Sequence, residues 1–156
     1  DQRDRIRGLR SGRPGDPSAD DDHGTGRWWV SVRVLPVVRT LTQERIHAYA
    51  DASGDHNPIH VDPSFARSTP FGGTIAHGML VLALIGEMMR GAFGETWSTT
   101  GKLKVRFKAP TRPGDTVTAS ATLTKESADG IEYAVQCASQ NGEVLIEGRA
   151  SVRADG

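Results

Sequence analysis

The stretch DASGDHNPIH, residues 51–60, concentrates side chains that can move a proton. Asp55 and His60 stand five positions apart, with Asn57 and Pro58 between them. Because proline biases the preceding residue toward an extended backbone, this spacing indicates a stiffened loop rather than one face of a helix. Such a loop can aim a carboxylate and an imidazole at one water molecule, which is an arrangement for acid–base chemistry. The competing interpretation is that these residues only shape a turn.

A second candidate element begins at His77 and Gly78, at the start of the apolar stretch AHGMLVLALIGEMMRGAFG. This stretch predicts a helix over 77–93 that is apolar on nearly every side and is therefore enclosed by other elements. The first N–H groups of a helix have no intrahelical partner, so they can bind an oxyanion, and a glycine there admits a ligand close to the backbone. An acid, a base and an oxyanion donor together suit acyl chemistry.

Two stretches carry a family resemblance, YADASGDHNPIHVDPSFA at 49–66 and GGTIAHGML at 72–80. They resemble the MaoC-like, (R)-specific enoyl-CoA hydratases of the hot-dog fold. The shared features are D-x-N-P-x-H, an alanine six residues after the histidine, and the downstream A-H-G-M. The resemblance covers roughly residues 28–153, and its motifs are concentrated in residues 49–86.

The resemblance implies a role for each matching residue. Asp55 and His60 match the catalytic pair that holds the water added to, or lost from, carbon 3 of the acyl chain. Gly78 matches the glycine whose backbone N–H holds the thioester carbonyl oxygen, and Asn57 matches a residue that orients the loop. His77, beside the oxyanion position, is interpreted as a supporting hydrogen-bonding residue rather than a catalyst. The implied reaction is reversible syn hydration of a trans-2-enoyl thioester to an (R)-3-hydroxyacyl thioester.

The chain departs from the family pattern at two positions. Ala52 stands where the motif prefers Leu, Val, Ile or Gly, which is a mild change. Gly86 stands eight residues beyond Gly78, where relatives often carry a serine, and no serine occurs between Gly78 and Ser98. We therefore expect substrate orientation to differ from those relatives, with a wider pocket beside the helix.

The strand KLKVRFK carries alternating basic residues, including Lys104, Arg106 and Lys108. The simpler interpretation is that these side chains form the solvated face of a half-buried strand. The alternative is that one or two of them contact the phosphates of CoA or of a carrier-protein arm. The sequence leaves both interpretations open.

The remaining pattern predicts an α+β domain whose antiparallel sheet wraps around the helix 77–93. Before that helix we expect a first strand in RWWVSVRVLP at 27–36, a helix at 42–53 begun by Thr42 and ended by Gly54, and a helical turn at 63–67. After it we expect a four-strand meander, whose alternating residues occupy 102–108, 116–124, 131–137 and 144–152.

Composition limits the class of protein. The 156 residues hold 19 basic and 19 acidic side chains, and this balance argues against a nucleic-acid partner. Cys137 is the single cysteine, which excludes a disulfide framework within the chain and predicts a small core residue. The longest apolar run, 79–85, is too short to span a membrane, and no signal peptide is recognisable, so we expect a cytoplasmic protein. Residues 1–27 are expected to form a flexible or partly ordered arm, or to wrap a partner, ahead of one domain at 28–156.

These observations predict an enoyl-thioester hydratase, or equivalently a 3-hydroxyacyl-thioester dehydratase. By resemblance it needs no metal and no redox cofactor, since CoA or phosphopantetheine is part of the substrate. Family likeness further predicts a homodimer or a dimer of dimers. Two alternatives remain open: an acyl-CoA thioesterase in which Asp55 activates water against the carbonyl, and a non-catalytic subunit of a heteromeric dehydratase.

Overall fold

The computed structural model describes residues 32–153, so the predicted arm at 1–27 lies outside the described residues. Within that range the chain forms a five-stranded antiparallel sheet accompanied by helices. The elements in chain order are β1 Val37–Thr40, α1 Gln43–Ser53, α2 Pro58–Val61, α3 Pro63–Arg67, α4 Gly78–Phe93, α5 Glu95–Thr100, β2 Lys102–Phe107, β3 Thr116–Ser127, β4 Gly130–Ala138 and β5 Val144–Arg153.

The sheet order is β1-β3-β4-β5-β2, so the predicted four-strand meander is wrong in one respect. The last three strands do form a meander, but β2 pairs with β5 at the opposite edge from β1. The connection between β2 and β3 holds Pro110 and Pro113, which have no N–H to donate to a strand ladder, so these strands are not joined by a tight hairpin. The segment between β2 and β3 is therefore a crossover, and β3 pairs on its other side with β1.

Helix α4 packs its apolar side chains against the concave face of the sheet. Val81, Ile85 and Met89 are buried there together with Val135 and Cys137 of β4. The predicted α+β class is therefore confirmed, with the core between one helix and one sheet. The expectation that α4 is buried all round is wrong for the single chain. The sheet covers only one side of the helix, which leaves six positions exposed: Gly78, Met79, Ala83, Glu87, Arg90 and Gly91.

The first strand begins later than predicted. Residues 32–36 are not in a strand, residues 28–31 lie outside the described range, and β1 starts directly after Pro36. The strand predicted at 27–36 is therefore wrong over its described residues, because the strand forms only where residues pair with β3, from Val37 opposite Ala119. Helix α1 is as predicted. The side chain of Thr42 accepts a hydrogen bond from the backbone N–H of Arg45, and Gly54 ends the helix in the left-handed conformation.

The sequence reading placed the turn at Pro63–Arg67 correctly but missed two short helices. Helix α2 was interpreted as irregular chain, although Asn57 caps it through its side chain and Pro58 occupies its first position. Helix α5 is not predicted from the sequence, where the next element expected after the helix at 77–93 is a strand. Gly94 has φ +55°, which ends α4 and lets the chain start a second helix in a new direction.

Two expectations drawn from composition concern the core and the membrane. Cys137 is fully buried, 0% exposed, and burial raises the pKa of its thiol to about 12. The prediction of a small core residue is therefore confirmed. No helix among residues 32–153 is long and apolar enough to cross a membrane.

Candidate active site

The loop after α1 holds the carboxylate of Asp55 through short-range hydrogen bonds. The backbone N–H of Asp55 donates to Ser53 Oγ at 3.2 Å, and the backbone N–H of Asn57 donates to Asp55 Oδ1 at 3.2 Å. The side chain of Asn57 in turn accepts from the N–H of Ile59 at 3.1 Å. Asn57 thus contributes to the loop at both its backbone and its side chain, in line with the orienting role assigned from the sequence.

His60 projects from α2 with one ring nitrogen already engaged. Its Nδ1 lies 2.8 Å from the carbonyl oxygen of Ile75. A carbonyl only accepts, so Nδ1 carries the hydrogen, and in the neutral ring Nε2 is left as the acceptor. Gln43 supports this position, since its Nε2 donates to the His60 carbonyl at 2.8 Å and its Oε1 accepts from Thr74 Oγ1 at 2.6 Å. Sequence reasoning missed Gln43, whose partners are distant along the chain.

His77 connects the two candidate catalytic residues. It is 2% exposed, and its ring stacks on the ring of His60 with centroids 3.8 Å apart and planes at 28°. Its Nε2 donates to the backbone carbonyl of Asp55 at 2.9 Å. Its Nδ1 is buried and has no hydrogen-bond partner among the described residues, so with the hydrogen on Nε2 it is an unpaired acceptor. The ring of Tyr49 also packs against the ring of His77, with centroids 4.8 Å apart.

Asp55, His60 and His77 therefore meet at one place. One polar atom of each lies within 4.8 Å of the others, which confirms that the loop and the start of α4 converge. Such a trio is also a possible set of metal ligands, but the rings do not fit that use. A metal ion lies about 2.1 Å from a histidine nitrogen and close to the plane of its ring, whereas the His60 and His77 rings stack face to face with centroids 3.8 Å apart, so joint coordination would require the rings to turn. The Nε2 atom of His77 also donates a hydrogen bond to the backbone carbonyl of Asp55, so it is already engaged.

Gly78 is the first residue of α4 and lies at the exposed end of the helix. His77 at the N-cap makes no side-chain hydrogen bond to the first turn. The N–H of Leu80 donates to the His77 carbonyl at 3.0 Å, whereas helix geometry leaves the N–H groups of Gly78 and Met79 without intrahelical acceptors, and the helix dipole adds partial positive charge there. The start of α4 is thus a site for a developing negative charge, one residue from His77 and beside the carboxylate and imidazole.

The basic residues predicted to contact phosphates lie on a different surface. Lys104 and Arg106 point to the face of the sheet away from α4, where they line a groove of about 750 Å³ with Arg149 and Gln136. Lys108 forms an ion pair with Glu147 at 3.3 Å. Lys104 and Arg106 thus lie on the opposite face of the sheet from α4, and phosphate contact by any of the three side chains stays a prediction.

Comparison with known proteins decides the family. Residues 32–141, which include β1 through most of the β4–β5 turn, match the family model described as MaoC like domain. This chain belongs to the MaoC-like family. It is 43% identical over 88 residues to 3-hydroxyacyl-thioester dehydratase Z of Mycobacterium tuberculosis, a match that spans 54% of this chain and 58% of that protein. This chain thus spans little more than half of that relative's length.

Other members of the MaoC-like family match over more of their length. The (R)-specific enoyl-CoA hydratase of Rhodospirillum rubrum is 34% identical over 118 residues, which cover 74% of this chain and 81% of that protein. Among solved structures, the (R)-hydratase from A. caviae involved in PHA biosynthesis is similar with a TM-score of 0.68 and 27% identity, covering 80% of this chain and 98% of the other. The hot-dog fold expected from the sequence is confirmed by this likeness.

The MaoC-like chain has open space at Gly86. This residue lies in α4, two turns beyond Gly78, at the position where the resemblance leads one to expect a serine. A Cβ atom built there would meet nothing within 4 Å. There is therefore room for a side chain at this half-buried position, and the wider pocket stays a prediction.

Proposed function

We propose that this MaoC-like protein adds water across carbons 2 and 3 of trans-2-enoyl thioesters and removes it in the reverse direction. The observation that carries the proposal is the convergence of Asp55 and His60 on the N-terminus of α4, within one cluster of polar atoms. The names of the relatives, a 3-hydroxyacyl-thioester dehydratase and an (R)-specific enoyl-CoA hydratase, support the same reaction.

Asp55 and His60 hold the water in this proposal. The Asp55 carboxylate and His60 Nε2 are both acceptors, since Nδ1 of His60 donates to Ile75. A water between them donates one hydrogen to each and turns its lone pair toward carbon 3 of the enoyl group. As the C–O bond forms, the pair takes a proton from the water and then delivers a proton to carbon 2 from the same side. Addition is therefore syn.

The N-terminus of α4 stabilises the charge that this attack creates. Attack at carbon 3 moves electrons through the conjugated system to the thioester oxygen, giving an enolate. The N–H of Gly78, assisted by the helix dipole, donates to that oxygen. CoA or phosphopantetheine enters as part of the substrate, and the steps above require no metal or redox cofactor. Contact of Lys104, Arg106 or Lys108 with substrate phosphates is a separate prediction, as is a cytoplasmic location.

We also propose that the working form is a homodimer or a larger assembly of dimers. Within the described residues β2 pairs on one side only, with β5, so its other edge has unpaired backbone groups. A large apolar side chain in the first turn of α4, Met79, is 59% exposed. A second copy of the chain would cover both features.

The decisive assay follows the ultraviolet absorbance of crotonyl-CoA and of a longer 2-enoyl-CoA, with free thiol measured in parallel. Hydration removes the enoyl absorbance without releasing CoA, whereas a thioesterase releases it. The protein's own thiol does not interfere, because Cys137 is buried and its pKa is raised to about 12. We expect Asp55→Asn and His60→Gln each to lower the rate at least ~100-fold.

The assay separates the proposal from its alternatives. Free thiol appearing with loss of the thioester would identify a thioesterase instead. No reaction with either thioester in a folded protein, together with a second chain that co-purifies, would identify a subunit of a heteromeric enzyme. Near wild-type rates in folded Asp55→Asn and His60→Gln would contradict the roles given to the pair.

A further inference from the structure

Phe107, the last residue of β2, lies directly on the proposed oxyanion residue. A Cβ atom built on Gly78 would lie 2.8 Å from Cε1, 3.2 Å from Cδ1 and 3.5 Å from Cζ of the Phe107 ring. Real Cβ atoms do not approach a neighbour as closely as the first of these distances. The ring therefore occupies the space that any side chain at position 78 would need, which is a physical reason for glycine at this point.

The position of this ring is not explained by the core. Phe107 is 56% exposed and stands outside the buried cluster that α4 forms with the sheet. The register of β2 with β5 places Phe107 opposite the buried Ile146. The strand thus brings the ring to the N-terminal end of α4 and leaves one face of the ring exposed. A large apolar side chain held against a polar helix terminus, with its other face free, is suited to contacting an apolar ligand.

The distances limit which part of a substrate the ring can contact. An oxygen that accepts a hydrogen bond from the Gly78 N–H lies about 3 Å from that nitrogen. Carbon 1 of the thioester is bonded to this oxygen and carbon 2 to carbon 1, so both lie close to Gly78. The ring that touches Gly78 therefore stands beside carbons 1 and 2, rather than beside the far end of the acyl chain.

We propose that Phe107 is the specificity-determining wall at carbon 2, which favours enoyl thioesters without a substituent there. The inference rests on the proposed hydratase function and goes beyond it by naming which substrates the site rejects. A methyl group at carbon 2 has to displace the ring, whereas a hydrogen at that carbon fits. Discrimination by one methyl group in a packed apolar site is typically ~10- to 200-fold.

The test compares kcat/KM for crotonyl-CoA with that for its 2-methyl derivative, tiglyl-CoA, in wild type, Phe107→Leu and Phe107→Ala. We expect the ratio of kcat/KM for tiglyl-CoA to kcat/KM for crotonyl-CoA to rise at least ~10-fold in Phe107→Ala. The ratio in Phe107→Leu should lie between the ratios of Phe107→Ala and wild type. Leu123→Ala is the matched control. Leu123 is 50% exposed on β3 and pairs with Tyr133, whose ring packs on Phe93 at the other end of α4.

A double-mutant comparison checks that the contact itself is responsible. Gly78→Ala keeps the backbone N–H but pushes the ring aside, and in a Phe107→Ala background its Cβ meets no ring. We expect Gly78→Ala to cost several-fold more kcat/KM for crotonyl-CoA in the wild-type background than in the Phe107→Ala background.

The outcomes are distinguishable. If folded wild type does not hydrate crotonyl-CoA, the proposed function fails and this inference fails with it. If wild type is active but the substrate ratio changes less than ~2-fold in both folded Phe107 variants, or changes equally in Leu123→Ala, only the role of Phe107 is overturned. Because the leucine variant keeps an apolar side chain at the site, the test remains valid even where the alanine variant does not fold.

Discussion

At the scale of single residues, the buried His77 is the link between the carboxylate and the imidazole. Its Nε2 donates to the carbonyl of Asp55 and its ring supports that of His60, yet its remaining nitrogen has no partner. It touches the catalytic pair but no proposed reacting atom. His77 is therefore a positioning residue, whose removal misplaces groups by fractions of an ångström rather than deleting a proton carrier.

This assignment predicts how variants of His77 behave. We expect His77→Leu, which cannot donate to Asp55, to lower kcat ~10- to 100-fold with little change in KM, because misplacement affects the reaction step more than binding. His77→Gln keeps an N–H donor and should recover part of the loss. The measurement is steady-state hydration of crotonyl-CoA.

The control for this prediction lies in the same loop. His56 is exposed, and its Nε2 contacts Asp51 at 3.0 Å, a hydrogen bond that raises the pKa of His56. His56→Gln is expected to retain wild-type kcat. Equal losses in His56→Gln and His77→Leu would mean that the loop tolerates no change, and a fully active His77→Leu would remove the positioning role.

At the scale of elements, α4 contributes to both the core and the site. Substitutions of two glycines within this helix, Gly86 and Gly91, test the two contributions separately. Neither Gly86 nor Gly91 has an atom within 4 Å of a built Cβ. Glycine within a helix costs about 0.5–1 kcal/mol relative to alanine. Gly86→Ala and Gly91→Ala are each expected to raise the free energy of unfolding by roughly that amount, measured by urea titration.

Only one of these variants should alter catalysis. Gly86 is half-buried beside the proposed pocket, whereas Gly91 is exposed near the C-terminal end of the helix. We expect Gly86→Ala to lower kcat/KM for the longer enoyl-CoA several-fold relative to crotonyl-CoA, and Gly91→Ala to leave that ratio unchanged. A shift of the ratio by both variants would indicate a general effect on the helix instead of loss of pocket space.

At the scale of the whole molecule, the open edge of β2 and the exposed apolar side chains near α4 bear on assembly. We expect light scattering to give the mass of two chains, or of an even multiple of them, at micromolar concentration. Met79→Lys places a charge on the exposed first turn of α4 and should shift the protein toward monomer, because a desolvated charge disfavours an apolar interface. Leu123→Lys, a similar change at the distant end of β3, should remain a dimer. A fully active monomeric wild type would contradict the proposed assembly.

The sequence by itself determined the features that depend on neighbouring residues. Thr42 and Gly54 set the ends of α1, and the apolar run after His77 makes a helix. Each follows from backbone stereochemistry and side-chain alternation, which act over a few residues. The convergence of the acid, the base and the helix start was predictable because the motif residues lie within 24 positions.

Only the tertiary structure decided what depends on distant pairing. The placement of β2 beside β5, the exposed face of α4 and the contact of Phe107 with Gly78 all join residues far apart in the chain. The partners that hold the site, Gln43 with His60 and His77 with the Asp55 carbonyl, have the same character. Alternation indicates that one face of a strand is apolar, but it does not indicate which strand lies next to it. That choice depends on packing and closure of the whole sheet, and therefore on the complete fold.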